Sequence, residues 1–98
     1  MANDGSRTAA PTVTAVLPAA LISLFPGSEP RVELAAATVG DMLDALDARW
    51  PGMRDRLCDS TPSVRRHINI FVEGQRATLQ TPLAAGAKVY VLMAISGG

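Results

Sequence analysis

One stretch of this chain carries a sustained helical period, and the segments on either side of it read mainly as strand or turn. Val39, Met42, Leu43, Leu46 and Trp50 fall in a single apolar stripe at about 100° per residue. Thr38 stands where an N-cap is needed. Asp41, three residues on, is a shorter stand-in for the Glu or Gln of a capping box. Pro51-Gly52 closes the stretch. One helix of about three turns cannot cover both faces of a sheet. The expected class is therefore α+β: a single mixed sheet with one main helix packed across one face.

The flanking segments supply the strands. In Thr12–Leu17, Val13, Ala15 and Leu17 alternate with Thr12, Thr14 and Val16, and Pro18 ends the run. Ala19–Phe25 is apolar and fits either a hairpin return or a short turn of helix. Pro26-Gly27-Ser28 is a turn by composition, and Arg31–Leu34 alternates again as a second strand. After the helix, Met53–Cys58 reads as a short turn anchored by Leu57, and Asp59–Ser63 as a loop. His67–Glu73 is the strongest strand, with Ile68, Ile70 and Val72 alternating with His67, Asn69 and Phe71. Glu73-Gly74-Gln75 is a turn, Arg76–Leu79 a short return, and Thr81-Pro82-Leu83 with Gly86 a connecting loop. The last strand starts at Lys88, and no internal repeat is present.

Alternation assigns the faces. Val13, Ala15, Leu17, Ile68, Ile70, Val72, Val89 and Val91 should meet the helix stripe. Phe71, Tyr90, Leu92 and Val16 are left on the other side. With no second helix to cover them, they form a partly exposed apolar patch of the kind that binds partners.

The chain has 98 residues, enough for one small domain with a single core, and 48% of them are hydrophobic, which argues for a folded chain. Nine basic residues balance nine acidic ones, so no strong net field favours nucleic acid or an anionic membrane. The single cysteine, Cys58, excludes an internal disulfide or a multi-cysteine metal site. The N-terminal residues carry Asp4 and Arg7 and lack the apolar run of a signal peptide. No apolar segment approaches the ~18 residues of a membrane span. A cytoplasmic protein is expected, with residues 1–11 a disordered lead-in, 12–94 the domain and 95–98 a flexible tail.

The sequence closes on Ser96-Gly97-Gly98, directly after a strand. Two terminal glycines alone suit a frayed end. Behind a strand in a small α/β domain they also suit a thin tail that enters a narrow channel and presents its carboxylate to a reactive centre on another protein. Other groups carry less. Arg65, Arg66 and His67 read as a polar lead into a strand, with the arginine pair available to an acidic partner surface. Asp41, Asp44 and Asp47 spread around the helix with no further ligand in evidence, so they read as a solvated face rather than a metal site. Cys58 has no cysteine neighbour and reads as structural, and Trp50 as core packing.

Four segments together resemble the MoaD/ThiS family of sulfur carrier proteins, which have the β-grasp (ubiquitin-like) fold. They are Val13-Thr-Ala-Val-Leu-Pro18, Thr38-Val-Gly-Asp-Met-Leu43, Ile68-Asn-Ile-Phe-Val-Glu-Gly74 and Ala94-Ile-Ser-Gly-Gly98. The long connection through Leu57, Arg65, Arg66 and His67 is similar to the CysO branch, which serves cysteine synthesis. The sequence departs from common family usage at Met93, often Pro, and at Glu73, often Asn. The resemblance implies a carrier and co-substrate rather than an enzyme. A separate E1-like adenylyltransferase, using ATP and magnesium, would activate the Gly98 carboxylate. A rhodanese or cysteine desulfurase would supply sulfur, leaving a 1-thioglycine at Gly98. The acceptor would be a pyridoxal-phosphate cysteine synthase, with a metallopeptidase releasing the product, or the large subunit of molybdopterin synthase. ThiS-like, secondary-metabolite and protein-modifier roles follow from the same terminus. Gly97 and Ser96 would form the mobile tail, and Phe71, Tyr90, Leu92, Ile95, Arg65 and Arg66 the partner-binding surface. The chain has no Gly-rich phosphate loop of its own, so ATP binding falls to the partner.

Overall fold

The computed structural model describes residues 10–58 and 68–93. Strand β1 (Thr12–Val16) is followed by a short helix α1 (Ala19–Leu24) and strand β2 (Arg31–Ala35). The main helix α2 (Val39–Arg49) and a single turn α3 (Met53–Leu57) come next. Strands β3 (Ile68–Val72), β4 (Gln75–Arg76) and β5 (Lys88–Met93) complete the described order. The strands form one mixed sheet in the order β2-β1-β5-β3-β4. Strands β1 and β5 are parallel, and every other pair is antiparallel. Ala19–Phe25, which fitted a hairpin return or a helix from its composition, is therefore helical up to Leu24.

The period of α2 decides which face it buries. Val39, Met42, Leu43 and Leu46 are fully buried. They meet Val13 and Ala15 of β1, Val32 and Leu34 of β2, Ile68 and Ile70 of β3, and Val89 and Val91 of β5 in one core. Val72, expected in that set, lies at the end of β3 and is half-buried against the core. Trp50 is corrected in the same sense: it is the C-cap of α2, half-buried, with its N–H donating to the Leu46 carbonyl at 2.8 Å. It packs on the rim of the core and does not complete the buried stripe.

The N-terminus of α2 is held as its sequence demands. The Thr38 side-chain oxygen accepts from the Asp41 N–H at 3.1 Å, filling one of the helix's orphan donors. The next donors reach outside the helix: the Val39 N–H to the Thr81 carbonyl at 3.0 Å and the Gly40 N–H to the Leu79 carbonyl at 2.9 Å. A Cβ at Gly40 would stand 3.2 Å from that carbonyl. The glycine of Thr38-Val-Gly-Asp41 thus lets the helix start close against the 79–81 loop.

Asp41 and Asp44 are exposed, as a solvated face requires, while Asp47 is half-buried and has a structural part. The Asp47 carboxylate accepts from the N–H groups of both Gly52 and Arg54 at 3.0 Å and so caps α3. Arg54 reaches back to the Asp44 carboxylate at 2.8 Å and to the Gly40 carbonyl at 3.3 Å. No group of three metal-binding side chains occurs among the described residues. Cys58 is buried beside Leu57 at the end of α3.

At the hairpin joining β3 and β4, Val72 pairs with Gln75 across Glu73 (φ +53°) and Gly74 (φ +82°). Two central residues with positive φ define a tight turn matched to strand twist, and Asn fits its first position better than Glu does. The expected return over Arg76–Leu79 is shorter than read: β4 is Gln75–Arg76, extended by one bond from the Ala77 N–H to the Ile70 carbonyl at 2.7 Å. Replacing Glu73 by Asn should stabilise the fold by roughly 0.5 kcal/mol through the backbone alone. Urea unfolding would show it as a higher midpoint at unchanged slope. A lower midpoint would contradict this account of the turn.

Candidate docking face and reactive terminus

Because one side of the sheet carries the helices, the side chains on the other side define the accessible face. The register places Phe71 opposite Tyr90, Tyr90 beside Val16, and Leu92 opposite Asn69. Phe71, Tyr90, Leu92 and Val16, assigned to one face by alternation alone, are therefore neighbours on it. Tyr90 is 41% and Leu92 46% exposed, while Phe71 and Val16 are half-buried. Arg76 lies with its guanidinium 5.9 Å from the centre of the Phe71 ring, a cation–π geometry.

Two shallow depressions flank the β5 ridge formed by Lys88 and Tyr90. One, of about 420 Å³, is lined by Thr14, Val16, Arg31, Glu33, Lys88 and Tyr90. The other, of about 430 Å³, lies against Glu73, Gly74 and Gly86. The rim is thus charged. Arg31 and Lys88 belong to it, and Arg76 stands over Phe71 on the same face; none of the three is a candidate from sequence. Strand parity was the available signal, since Lys88 shares the parity of Tyr90 and Arg31 lies on an alternating strand.

The outer edge of the sheet is less available. The Glu33 carbonyl on edge strand β2 accepts from the Arg49 Nη2 at 3.1 Å. A charged side chain from α2 thereby occupies one position where an added strand would pair.

Strand β5 lies between β1 and β3, and its last residue, Met93, stands opposite Ile68, the first of β3. The chain leaves β5 at the end of the sheet where it enters β3. Met93 also packs on the core, so the position where family members often carry Pro is here a paired strand residue. Leu92 and Tyr90 line the accessible face of the same strand. Gly98 follows Met93 by five residues. The expected site residues Ile95, Ser96, Gly97 and Gly98, the pair Arg65 and Arg66, and His67 lie outside the described residues, as does the 1–9 part of the lead-in.

The sequence pattern that defines the ThiS family matches residues 16–98. The chain belongs to the ThiS family. Small archaeal modifier protein 1 of Haloferax volcanii is 37% identical over 62 residues, covering 63% of this chain and 71% of the relative. The sulfur carrier protein CysO of Mycobacterium tuberculosis is 32% identical over 78 residues, covering 74% and 84%. Among solved structures, the Amycolatopsis orientalis BexX/CysO complex contains a chain that superposes with a TM-score of 0.79 at 29% identity, over 88% of this chain and 99% of that one. The H. volcanii SAMP1 crystal structure gives 0.76 at 30% identity, over 89% and 99%. The β-grasp fold and membership in a family of small sulfur carriers and ubiquitin-like modifiers, both implied by the sequence resemblance, are thereby established for this ThiS-family chain. No helix among its described residues is long and apolar enough to cross a membrane.

Proposed function

We propose that this protein is a cytoplasmic sulfur carrier whose Gly98 carboxylate is adenylated, converted to a thiocarboxylate and spent as a sulfur donor in biosynthesis. Cysteine synthesis of the CysO type is the leading assignment. The observation that carries the reading is the reach of the family match, which includes the final Ala94-Ile-Ser-Gly-Gly98 as well as the folded strands.

The chemistry follows from what a carboxylate lacks. Oxide is too poor a leaving group for direct acyl transfer. Attack of the Gly98 carboxylate on the α-phosphate of ATP, within a partner that binds ATP and magnesium, releases pyrophosphate and leaves an acyl adenylate. A persulfide on a rhodanese or cysteine desulfurase then displaces AMP, forming an acyl disulfide. A second thiol reduces that disulfide and leaves the thiocarboxylate, a nucleophile at neutral pH. The folded domain supplies the grip: β5 is paired to β1 through Tyr90 and to β3 through Met93, so a partner that holds the sheet face also fixes where the tail begins. Gly97 and Gly98 suit a narrow channel because neither carries a Cβ. In a CysO-like pathway the acceptor is a pyridoxal-phosphate cysteine synthase, with a metallopeptidase freeing the cysteine. A molybdopterin synthase large subunit, thiazole synthesis or a secondary metabolite would use the same donor atom.

The test is the intact mass of the full chain after incubation with ATP, a sulfide source and adenylating enzymes of the same organism. The expected gain equals exchange of one oxygen for sulfur. No gain with enzymes that are active on their own carriers would refute the reading.

The 37% identity to a small archaeal modifier favours one alternative, a modifier joined through Gly98 to lysine amines of target proteins. A ladder of isopeptide-linked conjugates in cells would mark that use.

A further inference from the structure

The register aligns five residues, one per strand, in a single row across the accessible face: Arg31, Val16, Tyr90, Phe71 and Arg76. The three central members are apolar or aromatic, and both ends are arginine. Adjacent strands lie about 4.8 Å apart, so the two arginine Cα atoms are separated by roughly 19 Å along a nearly continuous apolar strip. Arg76 is held over Phe71, and Arg31 lines the same depression as Val16 and Tyr90. Neither arginine is in an ion pair with a described carboxylate. In the neighbouring row the charges mix: Glu33 pairs through Thr14 with Lys88, and Lys88 shares the second depression with Glu73. The positive charge in line with the apolar row thus stands at its two ends, with Glu33 beside Arg31 in the first depression.

The geometry points to a protein partner with an apolar ridge flanked by two acidic groups spaced to meet Arg31 and Arg76. This rests on the carrier reading and specifies how the activating enzyme is held. Arginine at a partly desolvated rim forms bidentate bonds to carboxylates, while the apolar centre supplies buried area. A second copy of this chain fits less well, because its own apolar row ends in Arg31 and Arg76 and carries no carboxylate in line with them. Two arginines at opposite edges also define an orientation, which a tail bound for a narrow channel requires.

The test uses the full chain and the adenylating enzyme that converts it, with ATP–pyrophosphate exchange giving KM and kcat separately. Arg31→Glu and Arg76→Glu should each raise KM about tenfold, with kcat within about twofold. Arg31→Lys and Arg76→Lys, which keep the charge, should stay within about threefold of wild type. Rising salt should weaken the wild type more than the Glu variants. Equal KM for wild type and both Glu variants would overturn the docking proposal and leave the carrier reading intact. Wild-type binding to phosphatidylserine vesicles that is lost in the Glu variants, with KM unmoved, would assign the face to lipid and also overturn it. Failure of the wild type to be converted by any adenylating enzyme would remove the carrier reading and this proposal together.

Discussion

Leu46→Ala should destabilise the protein by roughly 3 kcal/mol, within the 2–5 kcal/mol range for buried Leu truncations. Leu46 is fully buried on the last full turn of α2, where the helix stripe meets the sheet. Truncation loses the transfer free energy of the deleted atoms and leaves a cavity, since the surrounding strands are too well paired to collapse into it. Alanine's better helix propensity returns only a few tenths of a kcal/mol. Domains of this size have total stabilities of about 5–15 kcal/mol, so the variant should unfold at a midpoint lower by roughly 12–24 °C. Leu92→Ala is the matched control. Leu92 is 46% exposed on the open face, and its truncation should move stability by no more than about 0.5 kcal/mol. Thermal and urea unfolding of the two variants would check both values. Similar losses in both would mean that the two sheet faces are not divided between core and partner as described.

Deletion of Gly98 should abolish the oxygen-for-sulfur mass gain while leaving the folded domain intact. The deletion removes no described residue, and β5 keeps its pairing to β1 through Tyr90 and to β3 through Met93. Stability should therefore stay within about 0.5 kcal/mol of wild type. Conversion should fall by at least about a thousandfold, because moving the carboxylate back by one residue takes it out of line with ATP, and misplacement by even 1 Å costs on the order of a hundredfold. Intact-mass measurement after activation, with a thermal melt of the same samples, separates the two effects. A truncated chain that still gains sulfur would place the reactive atom elsewhere. One that no longer folds would give the tail a structural role.

Much of this architecture was legible because it depends on near neighbours in the chain. The period of Val39, Met42, Leu43 and Leu46 marks a helix and its buried side, since both follow from side-chain angle along the axis. Thr38 and Asp41 announced the cap that is observed. Glu73-Gly74 marked a turn, and alternation in β1, β3 and β5 separated the core set from Phe71, Tyr90 and Leu92. Composition could not decide Ala19–Phe25, because a short apolar run suits either element and its neighbours arbitrate. Asp47 departs from a solvated face for a related reason: its hydrogen bonds go to backbone N–H groups of Gly52 and Arg54, beyond a helix end whose direction the helical wheel does not contain.

The sequence by itself determined the main helix, strands β1, β2, β3 and β5, and the split into a buried and an open sheet face. The tertiary structure alone decided which strands lie side by side. Strand β5 runs parallel to β1, with Thr14 beside Lys88 across more than seventy residues of chain. That pairing draws Val16, Tyr90 and Phe71 into one strip and sets Arg31 and Arg76 at its two ends. Periodicity is a property of a few consecutive residues, whereas register between distant strands is set by how the whole core packs.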